Sequence, residues 1–435
     1  MTAKPDWYDT VFTRYQEMLN RYNHLYLALS AGVDSNLLLH FLYTYKETLP
    51  PISTLHVNHN WHGDYSHRWA DFARKRAQAY GFPHHHFELN FPAVENKTLE
   101  AEGREARYEM MANAMVDNSL LLTAHHRSDQ AETLFHRLLR RSGLKGMGAM
   151  RDHTTLHFNH REVEILRPLL SISKVTLYET ARTHNIPWLE DYTNHDIDVT
   201  RNMIRNGIFP KVAEFFPDYE TAFYQTSLFL QEAQDLHDEI ATTDFTRLNT
   251  DLNLPKESLC YSKLRELSRA RIRNLIHFWL GKFGLSLNPD QFERFYQSYI
   301  ETETTTQSRF IIGPYTLFYF DDALTLIDTK QLTCTPSLNW MPAPNMPSQT
   351  VWDSLNTELV KRPNGARFHP IYRDKSQTLK KLLQENNVPP WIRENLWVLR
   401  NQETHEIYWV QSLGIAKSLA PHITATGVTP TLKMD

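Results

Sequence analysis

Along the first half of the chain, short unbroken apolar runs alternate with apolar residues at helical spacing. Residues 25–29, Leu-Tyr-Leu-Ala-Leu, predict a short buried strand, and Leu37, Leu38, Phe41 and Leu42 follow at the spacing of a helix. Between them lie the small residues 30–35, with Asp34 and Ser35 where a helix N-cap falls. The same reading gives strands over 52–57, 84–89 and 120–124. Helices follow over 66–80, 98–116 and 128–141, then over 169–185 and 200–215. Strands alternating with helices predict an α/β fold with a doubly wound parallel sheet and ligands at the C-terminal ends of its strands. Ser30, His56 and His125 fall at such ends.

From residue 218 the pattern changes. A long helical pattern runs through Leu236, and another over 265–283 puts Ile272, Leu275, Ile276, Trp279 and Leu280 on one apolar face. Residues 310–327 alternate as a hairpin does. Residues 336–347 carry four prolines and little periodicity, which predicts a linker. A compact segment follows from 350 to about 425. The expected domains are therefore 1–217, a mostly helical 218–335, and a small α+β domain over 346–435.

Composition narrows the function classes. A chain of 435 residues with 41% hydrophobic and 22% charged residues has the make-up of a globular protein with sizeable cores. No apolar run approaches the roughly 20 residues of a bilayer span, and the polar, aromatic start is unlike a signal peptide. Cys260 and Cys334 are the two cysteines, with no Cys-x-x-Cys pair, which fits a reducing cytoplasm and no thiolate metal site. A net charge of −4 means that any RNA contact must come from local basic patches. Such a patch lies over 361–393, where eight Lys or Arg stand against two acids. Phe368, Tyr372 and Trp391 within or beside it suit base stacking or a core. Arg137, Arg140, Arg141 and Lys145 make a second basic patch.

Several stretches suggest chemistry. A strand turning through small residues into a helix N-terminus aims free backbone N–H groups and the positive dipole end at one spot, which suits a phosphate. The loop is neither a Walker loop nor Gly-x-Gly-x-x-Gly. Within 123–133, Asp129 falls in the first turn of a helix, near the strand ends where Asp34 belongs. Two converging carboxylates suit a Mg²⁺ bridge to phosphates; alternatively Asp129 caps its helix while His125 and His126 hydrogen-bond in the core. Arg104, Arg107 and Tyr108 share one helical turn and suit phosphate clamping or a solvated ion-paired face. Arg201 and Arg205 lie one turn apart and suit developing negative charge, or a salt bridge to Asp191. The histidines, among them His56, His59, His62 and the run 84–86, lack the spacing of a metal site.

The loop Ser30-Ala31-Gly32-Val33-Asp34-Ser35 resembles the Ser-Gly-Gly-x-Asp-Ser loop of the N-type ATP pyrophosphatases (PP-loop enzymes). The ordered series of pieces resembles one family among them, tRNA(Ile)-lysidine synthetase. That series runs from the loop and His56–His59 through 104–108, 124–133, 141–147, 167–170, 190–194 and 201–205. It resumes with Lys380–Glu385 and Val388–Arg393. Two positions depart: Ala31 stands where the family usually has its second Gly, and Ser128 replaces the first Asp of a frequent Asp-Asp pair.

The resemblance implies a PP-loop ATPase domain of Rossmann-like form, then a helical domain and a C-terminal domain that grip tRNA. It implies a ligase that joins free L-lysine to C2 of the wobble cytidine of the isoleucine tRNA with a CAU anticodon. The reaction passes through an adenylated tRNA, with ATP and Mg²⁺ required. Ser30, Ala31, Gly32, Val33, Asp34, Ser35, His125, Arg104 and Arg201 are the implied ATP contacts. Asp34 and Asp129 are the implied metal ligands, and Asp34, Asp129 and Arg205 the catalytic groups. The implied tRNA contacts are Arg107, Arg140, Arg141, Lys145, Arg362, Arg373, Lys380, Lys381 and Arg393. A cytoplasmic monomer or homodimer without membrane attachment is expected. The alternatives are another PP-loop tRNA-modifying enzyme that delivers sulfur after adenylation, or an ATP- and RNA-binding protein without catalysis.

Overall fold

A computed structural model describes residues 4–58, 64–89, 99–158, 161–190, 200–249, 258–302, 304–330 and 335–433. The chain forms two compact units, Met1–Leu236 and His237–Asp435.

The first unit is built on a six-stranded sheet. Its strands are β1 (His24–Ala28), β2 (Ile52–Asn58), β3 (His84–Glu88), β4 (Ser119–Leu122), β5 (His153–Phe158) and β6 (Arg161–Leu166), in the order β3-β2-β1-β4-β6-β5. All pairings are parallel except β5 with β6. The expected parallel sheet thus gains two strands not read from the sequence, β6 and the antiparallel edge strand β5. Strand β5 buries none of its six residues deeply, so its sequence has no apolar run to betray it.

Alternation along the central strands sorts side chains to two cores. Leu25, Leu27, Leu120 and Leu122 face a core shared with α1 (Asp6–Leu19) and α2 (Val33–Thr44). Tyr26, Leu55 and Leu121 face the other, shared with Tyr108, Met111 and Ala112 of α4 (Leu99–Ala114). The sheet is therefore covered on both faces, as a doubly wound fold requires. Helix α3 (Asp64–Ala79) connects β2 to β3, and α5 (Arg127–Leu139) follows β4. Leu37, Leu38, Leu39 and Leu42 of α2 are fully buried. At about 2 kcal/mol each, their burial fixes the rotation of α2 about its axis and hence the direction of its first-turn N–H groups. The helix expected over 169–185 is shorter, Lys174–Thr183, capped by the Ser173 hydroxyl accepting from the Thr176 N–H at 3.1 Å.

In the second unit, helices Arg269–Gly281 and Pro289–Tyr296 pack with a four-stranded antiparallel sheet formed by Leu259–Cys260, Ala323–Asp328, Tyr315–Phe320 and Arg309–Ile312. The hairpin expected over 310–327 is thus part of a three-strand meander, and this region holds more strand than expected. A second four-stranded sheet begins with Thr357–Lys361 and Trp397–Asn401 and packs on helix Leu379–Glu385.

The expected linker is not one. Ser337–Ala343 pairs antiparallel with Gly427–Lys433 as a two-stranded ribbon, with Trp340 opposite Pro430. Prolines are tolerated there because a ribbon strand has an unpaired edge, and the partner lies almost 90 residues away, beyond the reach of a local pattern. Gly427 is required, since a Cβ would sit 2.0 Å from the Met346 carbonyl oxygen.

Candidate active site

The C-terminal ends of β1, β2 and β4 open into a cavity of about 560 Å³. Its floor is the 30–35 loop. The N-cap of α2 is Gly32, so Asp34 and Ser35 sit inside the first turn rather than at the cap. The local hydrogen bonds explain this. The Ser35 hydroxyl donates to the Ser30 carbonyl (2.9 Å) and accepts from the Ser30 N–H (3.1 Å). The Asn36 amide donates to the carbonyls of Ala31 (3.2 Å) and Gly32 (2.9 Å). Side chains within α2 thus hold the loop's carbonyls inward. The first-turn N–H groups of α2, at Val33, Asp34 and Ser35, have no intrahelical acceptor, and they form an anion cradle at the positive end of a 12-residue helix.

Ala31 is buried and keeps a negative φ, so the methyl in place of glycine carries no backbone strain. Its carbonyl also accepts from the Leu189 N–H at 2.9 Å, which clamps the loop from the far side.

The walls come from every neighbouring element. Buried His56 donates from Nδ1 to the Leu29 carbonyl (2.8 Å) and stacks on His86 at 5.6 Å. Asn58, Ser66, Trp69, Tyr108 and Met111 also line the cavity. Arg107 lines it too, so the residue expected at tRNA stands at the proposed nucleotide pocket instead. The side chain of Arg104 lies outside the described residues, as do Asp191, His59 and His62. His125 lines the cavity as expected and hydrogen-bonds Thr123 at 3.0 Å.

At the rim, the two expected carboxylates converge. His126 Nε2 stands 3.6 Å from Asp34 Oδ2 and 3.5 Å from Asp129 Oδ2. Asp129 also accepts from the His126 backbone N–H at 3.0 Å, so it caps α5 and faces the site at once. The helix-capping reading offered by the sequence holds for this residue.

Burial opposes the charge on both carboxyls, with different outcomes. The Asp34 carboxyl is pushed above its ordinary value by burial, which the nearby imidazole of His126 only partly offsets. For Asp129, burial is outweighed by His126, His125, the His126 N–H and Arg205, which together hold it down to about 2. Asp34 Oδ1 is buried with no hydrogen-bond partner among the described residues. A hard oxygen donor left over beside a phosphate cradle fits a divalent cation shared with nucleotide phosphates, which needs only one or two carboxylates. Among the described residues no cluster of three or more potential ligands forms a metal cage of its own.

Behind Asp129, Arg205 grips Glu132 through Nε (2.6 Å) and Nη2 (3.1 Å), and it reaches Asp129 Oδ1 at 3.4 Å. Burial pushes the Glu132 carboxyl up despite Arg205. Glu132 went unrecognised in the sequence, although it sits three residues after Asp129 on the same helical face, which is the signal that could have found it. Together with Glu179, Glu220, Lys174, Arg182 and Tyr178, Glu132 and Arg205 line a second cavity of about 430 Å³. The Ser128 hydroxyl donates to Glu220 at 2.6 Å, so the Asp usual at this position would here face another carboxylate.

The remaining candidates are dispersed. Arg201 and Arg140 line a third cavity rather than the 560 Å³ one, while Arg141 (φ 54°) and Lys145 are exposed. In the second unit, Lys380 and Lys381 are exposed on helix Leu379–Glu385, and Arg362 is half-buried. Arg373 pairs with Glu385. Arg393 donates to the Val388 carbonyl and lies over the Phe320 ring. Phe368 and Trp391 are core residues, and only Tyr372 of the three aromatics is exposed. No helix among the described residues is long and apolar enough to cross a membrane.

The sequence matches three protein families in order: a PP-loop domain over residues 8–212, the TilS substrate binding domain over 259–325, and the TilS substrate C-terminal domain over 358–428. It is 29% identical to the tRNA(Ile)-lysidine synthase of Nitrosomonas europaea, over 94% of this chain and 91% of that one. Against the enzyme of the same name from Hydrogenovibrio crunogenus it is 24% identical, over 90% and 96%. Against that of Pseudomonas syringae it is 34% identical, over 59% and 57%.

Proposed function

The chain belongs to the tRNA(Ile)-lysidine synthase family, and from that premise we propose how its residues join L-lysine to the wobble cytidine of a CAU-anticodon isoleucine tRNA. The PP-loop domain uses ATP. One observation carries the assignment of roles: the N–H cradle of 33–35 and the Asp34–His126–Asp129 chain open on the same strand ends.

In the first step the cytosine O2 attacks the α-phosphorus of ATP, the bond from that phosphorus to the bridging oxygen breaks, and pyrophosphate leaves. The cradle of α2 holds the departing phosphates by charge-assisted hydrogen bonds, which strengthen as negative charge develops. Arg205, 3.4 Å from Asp129, is the cation we assign to the negative charge that develops at the α-phosphate. Asp34 and Asp129 would hold Mg²⁺, which when bound supplies charge neutralisation to the phosphates.

In the second step the lysine ε-amine attacks C2, the C2–O bond breaks, and AMP leaves. The 430 Å³ cavity behind Asp129 suits the amino acid: Glu132, Glu179 and Glu220 complement an ammonium, and Lys174 and Arg182 complement the α-carboxylate. The ε-amine must shed a proton before it attacks. Glu132, its carboxyl pushed up by burial, is the better acceptor than Asp129, which stays ionised. The basic residues of the C-terminal segment, Lys380 and Lys381 foremost, hold tRNA through its backbone. We read residues 1–217, 218–335 and 346–435 as the catalytic, intermediate and C-terminal tRNA-holding parts.

Incubation of the purified protein with ATP, Mg²⁺, radiolabelled lysine and the CAU-anticodon isoleucine tRNA tests this, with methionine tRNA as control. Label fixed only in the first tRNA is the expected result. AMP formed on tRNA without lysine incorporation would keep adenylation and reject the nucleophile. Normal incorporation by Asp129→Asn would reject the metal assignment.

A further inference from the structure

The third cavity, about 370 Å³, lies in the first unit at the far end of α5 and has no role in either step above. Arg140, Arg201, Arg137 and His136 converge on it with the hydroxyls of Thr133 and Ser142, and no acidic residue is among those that line it. Cations at the end of α5 are favoured by its dipole, but that accounts only for residues of α5 itself. Arg201 arrives from a separate helix, Thr200–Met203. Arg201 also interacts with Glu132, but it lines one cavity with Arg137 and Arg140, and three guanidinium groups sharing a space without a lining acid favour an anion there.

The cavity is also built to hold its shape. Arg137 spends Nη1 on the carbonyls of Gly146 (2.7 Å) and Ala149 (2.8 Å), which folds the 141–149 turn back over the helix end. The Ser142 N–H donates to the Arg137 carbonyl at 3.1 Å. Gly146 packs so closely that a Cβ there would lie 2.7 Å from Ser142 Cβ. Arg137 is thus a positioning residue, and Arg140, Arg201 and Ser142 face the space it frames.

We propose that this cavity is a phosphate site, and that it takes a phosphodiester of the substrate RNA rather than a phosphate of ATP. Distance favours RNA. The cradle for the ATP phosphates is at the N-terminal end of α2, and His126, between Asp34 and Asp129, ties it to the N-terminal end of α5. His136 lies seven residues beyond Asp129 along α5, about 10 Å at 1.5 Å per residue. A polynucleotide whose target base sits at Asp129 carries backbone phosphates beyond the nucleotide pocket, as the triphosphate does not. The site deepens the reading of the chain as an RNA-modifying enzyme and rests on it for the identity of the ligand.

The test is equilibrium binding of the full chain, which requires no turnover. Arg140→Gln, Arg201→Gln and the double variant are titrated with the CAU-anticodon isoleucine tRNA over a range of KCl, and separately with ATP and inorganic pyrophosphate. Each single variant is expected to weaken tRNA binding roughly tenfold. Each should also lower the slope of log K against log salt by about 0.7, the share of one phosphate on a single strand. The double variant should lower the slope no further, since both arginines serve one phosphate, and ATP and pyrophosphate binding should not change.

Weakened ATP or pyrophosphate binding at unchanged tRNA affinity would overturn the RNA assignment, and no change in either would overturn the site. If an arginine variant loses tRNA, ATP and thermal stability together, Ser142→Asp decides. It removes no guanidinium, so weaker tRNA binding with intact ATP binding upholds the site, and unchanged tRNA binding overturns it. Failure of lysine incorporation with these binding changes intact would reject the proposed reaction and leave the phosphate site standing.

Discussion

Arg205 holds Glu132 by two points, at 2.6 and 3.1 Å, and the glutamate side chain is only 1% exposed. The pair joins α5 to the helical stretch beyond residue 200, so Arg205 anchors one to the other. Removing one partner leaves the other buried without compensation. Arg205→Ala should therefore cost about 3 kcal/mol of stability by urea unfolding. The double variant Glu132→Gln/Arg205→Met should recover most of that loss. A single variant as stable as wild type would show the pair to be solvated.

Ser128 and Glu220 make the second such link, and here charge decides. Ser128→Asp should place two carboxylates together in a partly buried setting, lowering the melting temperature and raising the pKa of one of them. Glu220→Gln in the same background should restore stability. Loss in Ser128→Asp of about 1–2 kcal/mol, reversed in the double variant, is the expected cycle. An unchanged melting temperature in Ser128→Asp would dismiss the repulsion.

His84 gives the chain a pH dependence. Facing Thr54 across the β2–β3 pair, it hydrogen-bonds Thr54 through Nδ1 at 2.8 Å. Burial first, then His56, His86, His85 and Arg74, lower its pKa from 6.5 to about 4. Between those values the unfolded chain binds a proton that the folded chain refuses, so stability falls as pH falls from 6.5 toward 4. His84→Gln should unfold with a shallower dependence over that window and the same behaviour above pH 7. Parallel profiles for the two proteins would remove His84 from the account.

Lys380 and Lys381 are exposed on one short helix, and the nearest acid, Glu385, reaches Lys381 only at 4.0 Å while it pairs with Arg373. They are free to meet phosphates in a way that Arg393, engaged with a backbone carbonyl and an aromatic ring, is not. Charge reversal of both should weaken tRNA binding at least tenfold and lower its salt slope by about one to two. ATP binding should be unaffected. Equal loss of both activities would signal misfolding.

Much of the candidate site's geometry was legible because it is local. The 30–35 loop, Asp34 and Asp129 were found from a strand running into small residues and a helix start, features set by a few neighbouring residues. Glu132 was within reach for the same reason, three residues from Asp129. The strand of 337–343 was not, since its partner is 427–433 and its prolines argue against a strand until the pairing is known. Strand β5 escaped because an edge strand with no deeply buried residue needs no apolar pattern.

By itself the sequence determined the α/β order, the phosphate-cradling turn and the carboxylates at the strand ends, because alternation and helix capping depend on residues close along the chain. The tertiary structure alone decided which charges meet. It brought His126 between Asp34 and Asp129, gave Arg205 to Glu132, set Ser128 against Glu220, and put Arg201 with Arg140 on a cavity apart from the 30–35 loop. Coulombic and hydrogen-bonding partners are fixed by distance in space, and in a sheet whose parallel neighbours lie 27 to 95 residues apart that distance is set by packing.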